Sequence, residues 1–227
     1  GRMVKHSRAT IDGTLLGPDA TAELAAMHLH RLGAAEASSV TFAADGAVWI
    51  WDRIPDICRL AKIEHVSTYE VLDCHHAVHH ISLALKSLGL EDAARLPLYR
   101  EQRTLLRNGQ WRRVVDELRD LASDQPDEAA VWTQIAYLEK HGNAGRLSYP
   151  HFRGVGIPLG SGAIESSIRR VINLRLKGNS MFWRETTAEA MLQLRGQVVT
   201  GRWDERLSSV RVHRLGDSCT TWRWSPR

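Results

Sequence analysis

The stretch SVTFAADG, residues 39–46, decides the fold class because it combines a β-strand pattern with an acid at its end. Its first six residues are small, apolar or β-branched, which favours a short buried strand, and Asp45-Gly46 ends that strand. The apolar residues from Ala47 to Leu60 then predict a helix. An acid that follows a buried strand and precedes a helix is a common position for a catalytic group in α/β folds.

The same pattern recurs 28 residues further along the chain. Residues 68–72, TYEVL, predict a second strand, Asp73 ends it, and a helix is expected to begin at Cys74. Asp45 and Asp73 are therefore expected at neighbouring strand ends in one sheet. For either aspartate alone, capping the helix that follows is an equally good explanation.

A third acid lies in residues 160–178, GSGAIESSIRRVINLRLKG. The first three of these residues predict a loop and a helix N-cap, and the isoleucines and valine that follow recur at the spacing of one helix face. Glu165 is the only acid between Gly160 and Arg184, in a stretch rich in arginine and lysine. The glutamate either stabilises the helix through the macrodipole or binds a metal beside a phosphate-binding surface.

Residues 42–51, residues 71–78, and residues 160–178 with Met181-Phe182-Trp183 resemble transposases of bacterial insertion sequences of the ISKra type. The resemblance covers roughly residues 8–205, with the motifs in the expected order. These transposases are similar to the wider group that carries a DDE catalytic core on a ribonuclease-H-like fold. The resemblance implies an α/β fold with a partial ribonuclease-H-like core and an all-helical insertion.

By the same resemblance, Asp45 matches the second acid of the DDE triad and Glu165 the third, and both would bind Mg²⁺ or Mn²⁺. Asp73 and His76 match an Asp-x-x-His element that follows the fifth strand in such enzymes. The residues expected to hold DNA phosphates are Arg169, Arg170, Arg175 and Lys177. The implied activity is metal-dependent DNA strand cleavage and strand transfer during transposition.

The implied partner is double-stranded DNA, both the transposon ends and the target, bound by an oligomer of identical chains. The formal net charge of +4 suits a polyanionic partner. Three widely spaced cysteines make no disulfide framework, which favours a reducing cytosol. The resemblance implies a bacterial cytoplasmic protein associated with the nucleoid. The sequence contains no apolar run of membrane-spanning length, so no membrane partner is expected.

The first acid of the triad is expected to be absent. Asp12 is the candidate, but only 33 residues separate it from Asp45, and residues 18–32 predict one helix that Gly33 ends. Two further strands do not fit in that space, so Asp12 is expected to be a turn residue before the helix. The chain is therefore expected to be the C-terminal part of a longer protein, and inactive alone.

The expected organisation has four segments. Residues 1–80 form the first part of the core, 81–150 the helical insertion, 151–205 the completion of the core with the Glu-bearing helix, and 206–227 a tail. Helical spacing of apolar residues marks the insertion, with breaks expected at Pro97 and at residues 124–127. An arginine-rich stretch there either contacts DNA or is a solvated face: Arg100, Arg103, Arg107, Arg112 and Arg113.

Two alternatives to a transposase stay open. One is a non-catalytic DNA-binding remnant, which the absent first acid favours. The other is a zinc hydrolase, because His75 and His79, like His76 and His80, share a helix face at four-residue spacing. No second Cys/His pair accompanies them at the usual spacing, so zinc is the weaker of the two alternatives.

Overall fold

The computed structural model describes residues 9–123, 129–160, 162–174, 176–178 and 180–208. This part of the chain is mostly helical, with one small parallel sheet, and is an α/β mixture. Its elements, in chain order, are α1 (Pro18–Arg31), β1 (Ser39–Ala44), α2 (Val48–Ala61), β2 (Ser67–Leu72), α3 (Cys74–Ser87), α4 (Asp92–Arg107), α5 (Trp111–Ala122), α6 (Ala129–Asn143), α7 (Tyr149–Gly154), α8 (Gly162–Ile168) and α9 (Glu185–Val199). A π-helical turn, Arg169–Asn173, continues from α8.

The chain divides into two compact units. The first contains Ala25–Gly162, and the second contains residues 9–24 together with the described residues from Ala163 onward. The four-segment organisation expected from the resemblance stays a prediction.

The first unit begins with a β–α–β arrangement. Strands β1 and β2 pair in parallel, in a register that runs from Ser39 opposite Ser67 to Ala44 opposite Leu72. Helix α2 connects the strands, as parallel pairing requires a crossover. The buried residues of α2 recur at helical spacing and give it one apolar face: Trp51, Ile54, Ile57, Cys58 and Ala61. Both predicted strands and the helix between them are confirmed, with β2 one residue longer than expected.

Helices α3, α4, α5 and α6 pack together and complete the first unit. Helix α3 packs against α4 and α6, and α5 packs against α4 and α6. The approach of α5 to α6 is close at Gly142, where an added Cβ would lie 2.4 Å from ring atoms of Trp111. Residues 81–149 therefore contribute helices and no strand within their described part, as the spacing of apolar residues predicted.

The expected break at Pro97 is wrong, because Pro97 lies inside α4. A proline within a helix removes its own backbone donor and crowds the carbonyl four residues earlier, but α4 continues past Pro97 to Arg107. Buried Gln102 and Leu106 hold the following turns of the helix in the core. The break expected at residues 124–127 lies outside the described residues.

The second unit is built around α8, the π-helical turn and α9. The loop before α1 lies against α9: Leu15 donates its N–H to Glu189 Oε2 at 2.6 Å, and a Cβ at Gly196 would meet Ile11 O at 2.6 Å. Asp12 lies in this loop ahead of α1, as expected.

The predicted apolar face of the Glu-bearing helix is only partly buried. Val171 is 3% exposed, but Ile164 is 51% and Ile168 is 41% exposed. The two exposed isoleucines precede the π-helical turn that begins at Arg169, so the spacing of apolar residues does not by itself identify a buried face in this segment. The tail predicted for residues 206–227 lies outside the described residues beyond Ser208. In the part of the chain that the structure describes, no helix is both long enough and apolar enough to cross a membrane.

Candidate functional site

Asp45 and Asp73 follow the matching ends of the two parallel strands. Ala44 lies opposite Leu72, and the N–H of Asp73 extends the ladder by donating to Ala44 O at 2.8 Å. The two aspartates therefore lie at the same edge of the sheet. We call Asp45, Asp73 and His76, with the helix residues that contact them, the carboxyl edge.

The two acids differ in their exposure to solvent and in the hydrogen bonds that their carboxylates accept. Asp45 is exposed, and its Oδ1 accepts a hydrogen bond from the N–H of Ala47 at 3.1 Å. Asp73 is 1% exposed, and its Oδ1 accepts from the N–H groups of His75 at 2.7 Å and His76 at 3.2 Å. Asp73 is thus the N-cap of α3, and Asp45 has the carboxylate that a ligand can reach.

His76 lies beside the Asp73 carboxylate. Its Nδ1 is 3.6 Å from Asp73 Oδ1, which is longer than a normal hydrogen bond. That nitrogen is buried and has no hydrogen-bond partner among the described residues. The two residues of the Asp-x-x-His element therefore lie side by side, with Nδ1 of the histidine buried against the carboxylate.

Helix α6 brings Tyr137 to the carboxyl edge. Its hydroxyl donates to the backbone oxygen of Asp45 at 2.8 Å, and its ring stacks on His80 with centroids 3.6 Å apart. The ring of His141 meets Tyr137 at 4.5 Å in a T-shaped arrangement. Sequence analysis missed Tyr137 and His141, because neither belongs to a motif and both are remote from Asp45 along the chain.

The glycine at position 46 is required by the close approach of Tyr137. Its φ is +93°, and a Cβ there would lie 2.1 Å from Tyr137 Oη. Only glycine fits this combination of a left-handed backbone and a close side-chain approach. Gly46, which the sequence indicated only as part of a strand end, therefore also marks the place where α6 reaches Asp45.

The rings of Tyr137, His80 and His141 are uncharged at neutral pH. Burial raises the pKa of Tyr137 above its usual range, and the charges of Asp45 and Asp73 raise it further. Burial, with the charges of Arg146, Lys140 and His80, lowers the pKa of His141 to about 4. Burial also lowers the pKa of His80, against the hydrogen bond from its ring to Gln134. This cluster therefore supports the backbone of Asp45 and adds no charge to the edge.

The end of β2 is held by Arg146 and by Tyr149, the first residue of α7. Leu72 donates its N–H to Arg146 O at 3.1 Å and accepts at its oxygen from Tyr149 Oη at 3.0 Å. Arg146 in turn pairs with Glu70 at 2.7 Å and lies over the ring of Trp51 at 4.1 Å. Both backbone groups of Leu72 are thereby satisfied, which fixes the position of Asp73 next to it.

The second unit carries the remaining predicted residues. Glu165 is in the first turn of α8 and is exposed. Arg169, Arg170 and Lys177 are also exposed, and we call these three the basic segment. Arg170 is held through its backbone oxygen, which accepts from Arg195 at 2.8 Å. The Nε of Arg170 also donates to Ser166 O at 3.4 Å, while the side chain stays exposed. Arg175 lies outside the described residues.

Glu165 belongs to one unit and Asp45, Asp73 and His76 to the other. Convergence of Asp45 with Glu165 stays a prediction. Among the described residues, no group of three or more His, Cys, Asp or Glu side chains is placed to hold a metal ion. Of the four clustered histidines, His80 is bonded to Gln134, while His75 and His79 are exposed.

No protein-family model matches the chain, and neither does any curated protein or solved structure with which it was compared.

Proposed function

We propose that this chain is part of a DNA transposase of bacterial insertion sequences of the ISKra type, with a catalytic domain built on a ribonuclease-H-like core. The observation that carries the proposal is the pairing of two parallel strands that end at Asp45 and Asp73. An exposed acid that follows a parallel strand lies at the edge of the sheet where α/β folds bind ligands, and Asp45 is such an acid. The sequence motifs that resemble the transposases occur at these same positions.

Asp45 and Glu165 are the proposed metal ligands. Both carboxylates are exposed, and carboxylate oxygens are the donors that Mg²⁺ prefers. Bound Mg²⁺ or Mn²⁺ would activate water or a DNA 3′ hydroxyl for attack on a phosphodiester. A hard cation needs several oxygen ligands, so water, DNA or a further acid must complete the site.

Asp73 has a positioning role in this proposal. Its Oδ1 already accepts two backbone N–H groups, which leaves it poorly suited to replace a missing metal ligand. It instead fixes the start of α3 and the position of His76. The Nδ1 of His76 is buried beside Asp73, so a contact with a phosphate or with another carboxylate would use the exposed part of the ring.

The first acid of the triad is proposed to come from outside this sequence. Asp12 is a poor candidate, because it is a loop residue whose carboxylate is 9% exposed and pairs with Arg202 at 3.2 Å. Its role in the second unit is to hold the loop before α1.

The basic segment is proposed to bind the phosphates of double-stranded DNA. Its three cations are exposed, and phosphate contacts from lysine and arginine supply affinity without base specificity. Transposon ends and target DNA would then be held by an oligomer of these chains.

A non-catalytic DNA-binding protein is the second candidate. The use of Asp73 as a helix cap favours it, as does the lack of a three-ligand group among the described residues. A protein of this kind keeps the exposed cations of the basic segment and needs no metal.

The two candidates differ in an assay of strand cleavage. The substrate is a duplex that carries the ends of the insertion sequence in which the gene lies, incubated with Mg²⁺ or Mn²⁺. The chain is tested alone and joined to the segment encoded directly upstream. A transposase cleaves in the joined form, and Asp45→Asn or Glu165→Gln abolishes cleavage, whereas the exposed control Asp92→Asn does not. Binding without cleavage in both forms supports the non-catalytic candidate.

A further inference from the structure

A cavity of about 350 Å³ lies in the first unit, directly beside the carboxyl edge. It is formed by the start of α3, one face of α4 and the loop after α7. The residues that line it are Cys74, His75, Val78, Tyr99, Arg103, Arg107, Leu159 and Gly160. The loop is joined to α3 by a hydrogen bond of 2.8 Å from the N–H of Cys74 to Leu159 O. Helices α3 and α4 therefore form the cavity together with a loop that is hydrogen-bonded to α3.

The arginines of this cavity are not neutralised. Arg103 and Arg107 are one helical turn apart on α4, and neither forms an ion pair within the described residues. Other arginines of the first unit do have acidic partners: Arg59, Arg95, Arg113, Arg119 and Arg146. Unpaired arginines that face a cavity leave it with a positive potential.

A third arginine adds to this charge. Arg153 donates a hydrogen bond to the backbone oxygen of Arg107. Burial raises the pKa of the Cys74 thiol and the charge of Asp73 adds to the rise, while the charges of Arg107, Arg103 and Arg153 oppose it. The acid near the cavity is Asp73, and its Oδ1 is occupied by the backbone of α3. The balance of charge around Cys74 therefore suits an anion.

The chemistry of the residues that line the cavity indicates which kind of anion it can bind. Guanidinium groups bind phosphate oxygens with matched geometry, and Tyr99 and His75 offer further polar groups. Val78 and Leu159 add apolar surface. The volume is at the lower end of the range of about 300–1,000 Å³ for small-ligand sites, which exceeds the needs of a phosphate alone.

We propose that this cavity binds a phosphate of a DNA strand together with its attached sugar, through Arg103 and Arg107. Cys74 and His75 directly follow Asp73, so the bound phosphate lies next to the carboxyl edge and holds the strand there. The identity of the strand as DNA rests on the proposed function, whereas the preference for a phosphate rests on the cavity itself. The phosphates bound here are distinct from those assigned to the basic segment.

The first experiment compares two double variants of equal charge. Arg103→Ala/Arg107→Ala removes both cavity arginines, and Arg100→Ala/Arg112→Ala removes two exposed arginines outside the cavity. The ligand is a fluorescent 12-nucleotide single strand, titrated with the full chain at several salt concentrations.

We expect the cavity variant to lose about tenfold or more in affinity and the control about twofold or less. The salt slope of the cavity variant should fall by about 0.7 for each lost contact to a single strand. Equal losses in both variants overturn the proposal, since the arginines would then be a solvated face.

The second experiment uses Cys74 as a probe inside the cavity. Iodoacetamide labels the full chain at mildly alkaline pH, and mass spectrometry of the Cys74 peptide gives the rate with buffer, inorganic phosphate, thymidine 5′-monophosphate or the single strand. Buried Cys58 is the internal control for unfolding. Protection of Cys74 by the single strand, absent in the Arg103→Ala/Arg107→Ala variant, supports the proposal. Protection by the free nucleotide but not by the strand overturns the assignment to DNA, and no protection by any phosphate compound overturns the site.

These outcomes are separable from failure of the transposase proposal. If DNA protects Cys74 but the protein never cleaves a transposon end, the cavity proposal stands and the transposase proposal fails. If the protein cleaves but DNA does not protect Cys74, the transposase proposal stands and the cavity proposal fails.

Discussion

The hydroxyl of Tyr137 donates a hydrogen bond of 2.8 Å to the backbone oxygen of Asp45, across 92 residues of sequence. This bond joins α6 to the end of β1 at the residue proposed to bind metal. The backbone of Asp45 is therefore supported by the helical part of the first unit as well as by the sheet.

Replacement of Tyr137 by Phe should remove this bond and keep the stacked ring. We expect the free energy of unfolding to fall by about 1 kcal/mol, the typical net contribution of one hydrogen bond. Urea denaturation followed by circular dichroism measures the change. Tyr69→Phe is the control, because the contacts of Tyr69 with His151 and Phe152 are made by its ring. Equal effects of the two substitutions would show that the bond to Asp45 contributes nothing specific.

Gly46→Ala should be more damaging than the loss of the hydroxyl. The new Cβ would lie 2.1 Å from Tyr137 Oη and 2.8 Å from Leu72 Cδ1, so neighbouring groups must move. Overpacking of this kind costs about 1–3 kcal/mol, in addition to the strain of a positive φ. Gly89→Ala is a matched control, with φ +66° and nothing within 4 Å of the added Cβ. A midpoint of thermal unfolding as low for Gly89→Ala as for Gly46→Ala would contradict the close approach.

Asp73 should behave as a helix cap. Asp73→Ala removes the acceptor for the N–H groups of His75 and His76 and should lower the free energy of unfolding by about 0.5–2 kcal/mol. Asp73→Asn keeps an acceptor oxygen and should lose much less. In a form that cleaves DNA, Asp73→Asn should also retain more activity than Asp45→Asn. If Asp73→Asn were as inactive as Asp45→Asn and as stable as the parent, Asp73 would be a metal ligand.

His141 should make stability depend on pH. Its pKa is about 4 in the folded chain, against 6.5 for the free side chain, because burial and the nearby cations disfavour the charged form. The unfolded chain therefore binds a proton before the folded chain does, and stability falls as the pH is lowered from about 6.5 towards 4. Denaturant unfolding at pH 7 and pH 5 should show a smaller loss for His141→Gln than for the parent. An identical loss in both proteins would exclude His141 as the source.

The basic segment should bind duplex DNA regardless of sequence. Replacement of Arg169, Arg170 and Lys177 by Ala should weaken binding and reduce the salt slope by up to about 0.9 for each lost phosphate contact. Fluorescence anisotropy with two unrelated duplexes measures both quantities. The control carries Ala at Arg31, Lys86 and Lys140, which are exposed and remove the same charge. If both triple variants lost affinity equally, the basic segment would contribute only net charge.

Local pattern in the sequence was sufficient for the elements that carry the acids. The β-branched and apolar residues before Asp45 and Asp73 predicted β1 and β2, and Pro18 with Gly33 marked the limits of α1, because these signals act within a few residues. The helix break predicted at Pro97 is wrong, because buried Gln102 and Leu106 keep the following turns of α4 in the core despite the cost of a proline in the helix.

The surroundings of the acids were decided by tertiary structure. Whether Asp73 caps a helix or faces a ligand depends on where α3 begins relative to the sheet, and both outcomes fit the same sequence pattern. The bond from Tyr137 to Asp45 and the cavity lined by Arg103 and Arg107 arise where distant helices pack beside the strand ends. Periodicity reports which face of a helix is apolar, whereas the partner of that face depends on the packing of the whole unit.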